Sequence, residues 1–156
     1  MTSLSNVFKA YDIRGIVPDE LNALQFRAIG VAVARFADAP TILIARDMRD
    51  SGVELAEAFA LGARSEGASI VDLGLASTDL LYYAAGSLDA PGAMFTASHN
   101  PAKYNGLKLC LSGAGDPVDL PRRVQGLAVV RGAPRPAGAH QGGRRIGARH
   151  LSLIHI

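Results

Sequence analysis

Ala93-Met94-Phe95-Thr96-Ala97-Ser98-His99-Asn100-Pro101-Ala102-Lys103-Tyr104-Asn105-Gly106-Leu107-Lys108-Leu109-Cys110-Leu111 is the stretch on which the reading of this chain turns. The apolar residues up to Ala97 and the alternating run Leu107 to Leu111 read as two strands around a short polar loop. No helix fits between them, so they cannot form a parallel crossover, and a mixed sheet is expected. A strand that stops near Thr96 places Ser98 on the connecting loop, where scaffold-mounted chemistry usually sits. Pro101 disfavours helix in the residue before it, and Gly106 allows a tight turn or a close backbone approach. A hydroxyl nucleophile, an imidazole, an amide and an ammonium thus fall between Ser98 and Lys108. Each alone reads as part of an ordinary polar turn; the whole string does not.

Upstream, the chain alternates between helical and strand patterns. Asn22 to Phe36 carries Leu24, Ile29, Val33 and Phe36 at helical spacing. Thr41 to Ala45, after Pro40, is continuously apolar, as in strands covered on both faces. Ser51 and Glu54 have the spacing of a capping box, opening a helix to about Glu66 that Gly67 ends. Ala68 to Leu73 reads as a further strand. Ser77 or Thr78 would cap a helix through Ala85, ended at Gly86. The expectation is an α/β fold over residues 1–113, a layered α/β/α domain with a mixed sheet.

The loop resembles that of the α-D-phosphohexomutases, the family of phosphomannomutase and phosphoglucomutase. Their active-site loop reads T-x-S-H-N-P-x-x-Y-N-G-x-K, and this chain matches every fixed position from Thr96 to Lys108. Two further elements fit the family in order and spacing: Phe8-Lys9-Ala10-Tyr11-Asp12-Ile13-Arg14-Gly15 and Ile44-Ala45-Arg46-Asp47-Met48-Arg49-Asp50-Ser51-Gly52. The resemblance covers roughly residues 6 to 113 and corresponds to the first of the family's four domains. Phosphoglucosamine mutases are similar but usually open the loop S-A-S-H-N-P and carry Asp where this chain has Tyr104. That favours the mannose/glucose branch and leaves the other as the alternative.

The resemblance implies an isomerase that moves phosphate between the 1- and 6-positions of a hexose phosphate through a bisphosphate intermediate. Ser98 would be the phosphoserine, and its phosphate would also ligate Mg2+. The other metal ligands come, in the family, from a D-G-D-x-D loop of the second domain, which this sequence does not contain. Hexose 1,6-bisphosphate would be the activator. His99 and Lys108 would serve proton transfer and charge support, and Arg14 would face the catalytic cleft, its fork suited to phosphate. Tyr11 and Asn100 are the candidate substrate-binding residues. They also read as supports of the loop, as does Asn105. Arg46, Asp47 and Arg49 read as a mutual brace behind the site. Without the metal loop, the sugar-recognition loop and the phosphate clamp, these 156 residues alone are expected to turn nothing over. The rival reading is a non-catalytic phosphate- or partner-binding module.

Composition divides the chain. Residues 1–113 hold nine Lys and Arg against twelve Asp and Glu, a mildly acidic balance. Residues 114–156 hold seven Arg, no Lys and two Asp, with seven Gly and four Pro. Such a segment buries too little apolar surface to offset its ordering entropy. It is expected to be disordered or not a natural continuation. An Arg-rich tail could bind nucleic acid, but it carries no aromatic residue to stack on bases. Cys110 is the single cysteine, which excludes an intrachain disulfide and argues against a thiolate metal cluster. No signal-peptide pattern or membrane-spanning run is apparent, so a cytoplasmic location with no membrane partner is expected.

Overall fold

The computed structural model describes residues 6–9 and 12–111; the expectations for Tyr11 and for 114–156 lie outside the described residues. The elements are β1 (Ile13–Ile16), α1 (Ala23–Ala37), β2 (Thr41–Arg46), α2 (Ser51–Ser65), β3 (Ser69–Leu75), α3 (Thr78–Leu88), β4 (Gly92–Phe95) and β5 (Tyr104–Cys110). One sheet runs β1-β5-β4-β2-β3. β2 pairs in parallel with β3 and β4, while β5 is antiparallel to both β4 and β1. The sheet is therefore mixed, and the antiparallel pair is the one that flanks the Ser98 loop.

Period-two alternation divides the core between two faces. Ile42, Ile44, Ala93, Phe95, Leu107 and Leu109 face α1 and α2. Leu43, Ala45 and Met94 face Leu81, Ala84 and Ala85 of α3. On the first face the Phe95 ring lies between Phe26 and Phe59, 5.5 Å from each. α1 and α2 pack closely: a Cβ on Gly30 would lie 2.1 Å from the Phe59 carbonyl oxygen, and one on Gly62 would lie 2.0 Å from that of Arg27. Arg35 of α1 also grips Glu66, just past α2, through two bonds of 2.9 Å.

Helix caps depart from the sequence reading. The expected Ser51–Glu54 box does not form; Asp50 precedes α2 in helical conformation with no side-chain cap bond. The Ser51 hydroxyl instead accepts from Nδ2 of Asn105 at 2.9 Å. Asn105 is fully buried, and an unpaired buried amide costs more than an open helix end beside water. The box forms at α1 instead, where Asn22 accepts from the Leu24 and Gln25 amides and Gln25 accepts from the Asn22 amide. α3 does not stop at Gly86. It runs to Leu88 and ends at left-handed Asp89, whose amide bonds to the Ala85 carbonyl. Leu24 is 79% exposed, and Phe26 takes the core position.

Cys110 is half-buried, not fully enclosed. Burial pushes its thiol up from the ordinary value. We expect alkylation at pH 8 to run slower in the folded chain than in denaturant, because the thiolate is the reactive form. The raised value also means that the thiol's contribution to stability is complete below its ordinary value of 9.0 and is lost as pH rises past it. Equal alkylation rates, folded and unfolded, would refute this.

Candidate active site

The C-terminal ends of β2 and β4 lie side by side, with Arg46 opposite Phe95 and the Asp47 amide bonded to the Phe95 carbonyl at 3.0 Å. Ligands of α/β sheets bind at this edge. Here the chain leaves β4, forms the loop Thr96–Lys103 and returns as β5. The Val17 amide, just past β1, bonds to the Lys103 carbonyl at 2.9 Å and brings a third strand end to the same place.

Ser98 is exposed at the loop crest, in the left-handed region at φ 56. Few non-glycine residues adopt that conformation, and where they do it marks a backbone held by its surroundings. Its Oγ lies 3.2 Å from Nδ1 of His99, also exposed, which can donate to or accept from the hydroxyl according to its tautomer. Asn100 turns inward: its Nδ2 donates to the Ala97 carbonyl at 2.8 Å and its amide donates to the same carbonyl. A Cβ on Gly106 would lie 2.0 Å from the Ile13 carbonyl oxygen, so only glycine lets β5 approach β1 this closely.

Arg14 lies on β1 and Lys108 on β5. Their neighbours Ile13, Leu107 and Leu109 belong to the core under α1 and α2, so alternation places Arg14 and Lys108 on the opposite face. α3 covers that face over β2 and β4. Arg14 sits opposite Gly106, and Lys108 opposite Met94. No hydrogen bond or ion pair of the Lys108 side chain occurs among the described residues. Arg14 pairs with Asp12 through Nη2, while its buried Nε has no partner among the described residues.

The brace expected from Arg46, Asp47 and Arg49 exists in part. Asp47 and Arg49 pair, but Arg46 forms no ion pair among the described residues and lines a groove between α2 and β3 instead. What sequence reasoning missed is the extent of the Arg49 contacts: its guanidinium bonds to the carbonyls of Ser98, Asn100, Pro101 and Tyr104. It also missed Thr96, whose hydroxyl donates to Asp47 and accepts from the Ser98 amide. The one sequence signal was the Asp-x-Arg spacing at a strand end. An open groove of about 440 Å³ lies behind the loop, lined by Met48, Asp50 and Lys103 among others. None of Ser98, His99, Arg14 and Lys108 lines it.

Among the described residues no three His, Cys, Asp or Glu side chains converge on a point that could hold a metal ion. A magnesium site needs several oxygen ligands, so the residues present do not by themselves fit one. No helix among the described residues is long and apolar enough to cross a membrane.

The chain is similar in sequence and fold to known proteins. The phosphohexose mutases of Xanthomonas campestris pv. campestris are 48% identical over 103 residues, covering 65% of this chain and 23% of the relative. A phosphomannomutase of Salmonella typhimurium is 37% identical over an alignment that takes in 100% of this chain and 35% of the relative. A solved phosphoglucomutase/phosphomannomutase family protein from Burkholderia thailandensis superposes with a TM-score of 0.73 at 38% identity, covering 83% of this chain and 31% of that one. The chain therefore spans between 23% and 35% of the length of these curated relatives. The profile described as "Phosphoglucomutase/phosphomannomutase, alpha/beta/alpha domain I" matches residues 5–122, past residue 113 where the sequence pattern gives out. All the described residues fall within that match, and the chain belongs to the phosphoglucomutase/phosphomannomutase family as its α/β/α domain I.

Proposed function

We propose that this domain carries the phosphoryl group of a hexose-phosphate mutase on Oγ of Ser98. The observation that carries the reading is a serine hydroxyl held exposed in a left-handed backbone at the strand ends, 3.2 Å from an imidazole nitrogen. In the transfer, a sugar hydroxyl attacks the phosphorus of phosphoserine. The new phosphorus–oxygen bond forms to the sugar as the bond to Oγ breaks. The sugar hydroxyl loses its proton, and Oγ regains one. His99 is placed to exchange a proton with Oγ. Arg14 and Lys108 offer positive charge on the adjoining sheet face, where it offsets the charge of the transferring group. The reverse step, with the bisphosphate turned end for end, recovers the phosphate at Ser98. Magnesium would meet a phosphoserine oxygen in this chain, and none of these steps is assigned to it.

The test joins this domain to the remaining domains of a phosphohexomutase, incubates the protein with glucose 1,6-bisphosphate in magnesium buffer and maps phosphate by mass spectrometry. One stable phosphate is expected, on Ser98. The 156-residue chain by itself is expected to show no conversion of glucose 1-phosphate or mannose 1-phosphate, because the groups that bind the sugar and its second phosphate act together with Ser98. Phosphate on a different serine would overturn the assignment of Ser98. Turnover of about 1 per second or more would overturn the dependence on further domains.

A further inference from the structure

We propose that Arg49 is the positioning residue for Ser98, a role that rests on Ser98 being the phosphoryl carrier. A guanidinium has five N–H donors, and Arg49 spends all five. Nε donates to Asp47 Oδ2 at 3.1 Å. Nη1 donates to the carbonyls of Pro101 and Tyr104 at 2.9 and 3.0 Å. Nη2 donates to those of Ser98 and Asn100, both at 2.8 Å. The side chain is 9% exposed, and Asp47 supplies its countercharge. No donor remains for a substrate phosphate, which separates Arg49 from Arg14, where Nε is unpartnered among the described residues.

The same ion pair reaches Ser98 from its other side. Asp47 Oδ2 accepts the Thr96 hydroxyl proton at 2.7 Å. That fixes the direction of the hydroxyl, whose oxygen accepts from the Ser98 amide at 2.9 Å. The peptide before Ser98 is thus held through Thr96 and the peptide after it through Arg49. The φ of 56 lies between these two anchors. Released from them, a serine would favour the right-handed or extended regions, and Oγ would leave its place beside His99. Displacement of a reacting atom by about 1 Å costs roughly 100-fold in rate.

Arg49→Lys in the whole 156-residue chain tests this, because one ammonium keeps the charge but cannot span five acceptors. Two quantities are read. The first is amide hydrogen exchange at Ser98 in the loop and at Tyr104, where β5 begins and whose amide bonds to the Pro101 carbonyl, against Leu43, whose amide bonds to the Pro91 carbonyl in the sheet. The second, read with the domain joined to the remaining domains of a phosphohexomutase, is the rate of Ser98 phosphorylation as a function of glucose 1,6-bisphosphate concentration. Exchange is expected to quicken at Ser98 and Tyr104 and to stay unchanged at Leu43. The saturating phosphorylation rate is expected to fall roughly 100-fold at an unchanged half-saturating concentration, since Arg49 has no donor free for the ligand. Unchanged loop exchange would overturn the proposal. So would parallel loss of protection at Leu43, which would make Arg49 a residue of fold stability, or a shift confined to the half-saturating concentration, which would make it a binding residue. If the joined parent protein takes no phosphate at Ser98, the functional reading fails, and the exchange measurement still decides whether Arg49 anchors the loop.

Discussion

Joined to the remaining domains of a phosphohexomutase, Ser98→Gly is expected to take up no phosphate, and in the 156-residue chain it is expected to unfold at a higher urea concentration than the parent. The two effects have separate causes. Removing Oγ removes the acceptor, and loss of a nucleophile that acts with its partners costs about a millionfold, here below detection. The backbone effect comes from φ 56 at Ser98. A left-handed residue with a Cβ is disfavoured by roughly 1–2 kcal/mol. Glycine relieves that strain but gives back part of the gain through its freer unfolded state, leaving a net of about 1 kcal/mol. Ser98→Ala separates the terms: it also takes up no phosphate, but it keeps the Cβ and the strain, so its stability should stay within about 0.5 kcal/mol of the parent. Urea midpoints at constant slope measure the difference. A glycine variant no more stable than the alanine variant would show that the left-handed backbone stores no strain. Phosphate retained by the alanine variant would remove Ser98 from the chemistry.

Gly30→Ala and Gly62→Ala are expected to be among the most damaging single-methyl additions in the described fold, with Gly106→Ala. For the two helix glycines the new Cβ would meet main-chain atoms of the facing helix at about 2 Å, the Phe59 carbonyl from Gly30 and the Arg27 carbonyl from Gly62. A backbone cannot rotate aside as a side chain can, so α1 and α2 must separate. Separation loosens Phe59 and Phe26 against the Phe95 ring between them. Alanine gains about 1 kcal/mol over glycine in helix propensity, but overpacking costs about 1–3 kcal/mol and sometimes more. A net loss of about 2 kcal/mol is expected at each site. The two contacts share one helix pair, so the double variant should fall short of the sum. Gly86→Ala is the control. It lies in α3 with nothing within 4 Å of its would-be Cβ, so propensity acts alone and about 1 kcal/mol of stabilisation is expected. Equal responses at Gly30 and Gly86 would show that the helix contact is not close.

The loop chemistry was legible because its residues are contiguous. Thr96 to Lys108 holds the serine, the imidazole and the ammonium on one short segment, and the apolar runs on either side announce the strands that carry it. The distant members were legible only through resemblance. Arg14 comes beside Gly106 because β1 joins the sheet beside β5, and nothing local at residues 12–16 announces that pairing. Arg49 follows Ser98 through carbonyl oxygens, which every residue possesses, so no side-chain pattern marks it.

By itself the sequence did not determine β1, but it determined which segments from Asn22 onward are helices and strands, that the last two strands cannot form a parallel crossover, and where the serine loop lies. These follow from periodicity and chain connectivity, which are local. The tertiary structure alone decided the strand order β1-β5-β4-β2-β3 and the choice of caps. Ser51 had the sequence of a capping box but faces buried Asn105, and satisfying a buried amide outweighs capping an open helix end. Tertiary contacts also decided the backbone of Ser98. A serine has no local reason to enter the left-handed region; it is held there by Thr96 on one side and Arg49 on the other. Both anchors depend on β2 and β4 ending side by side.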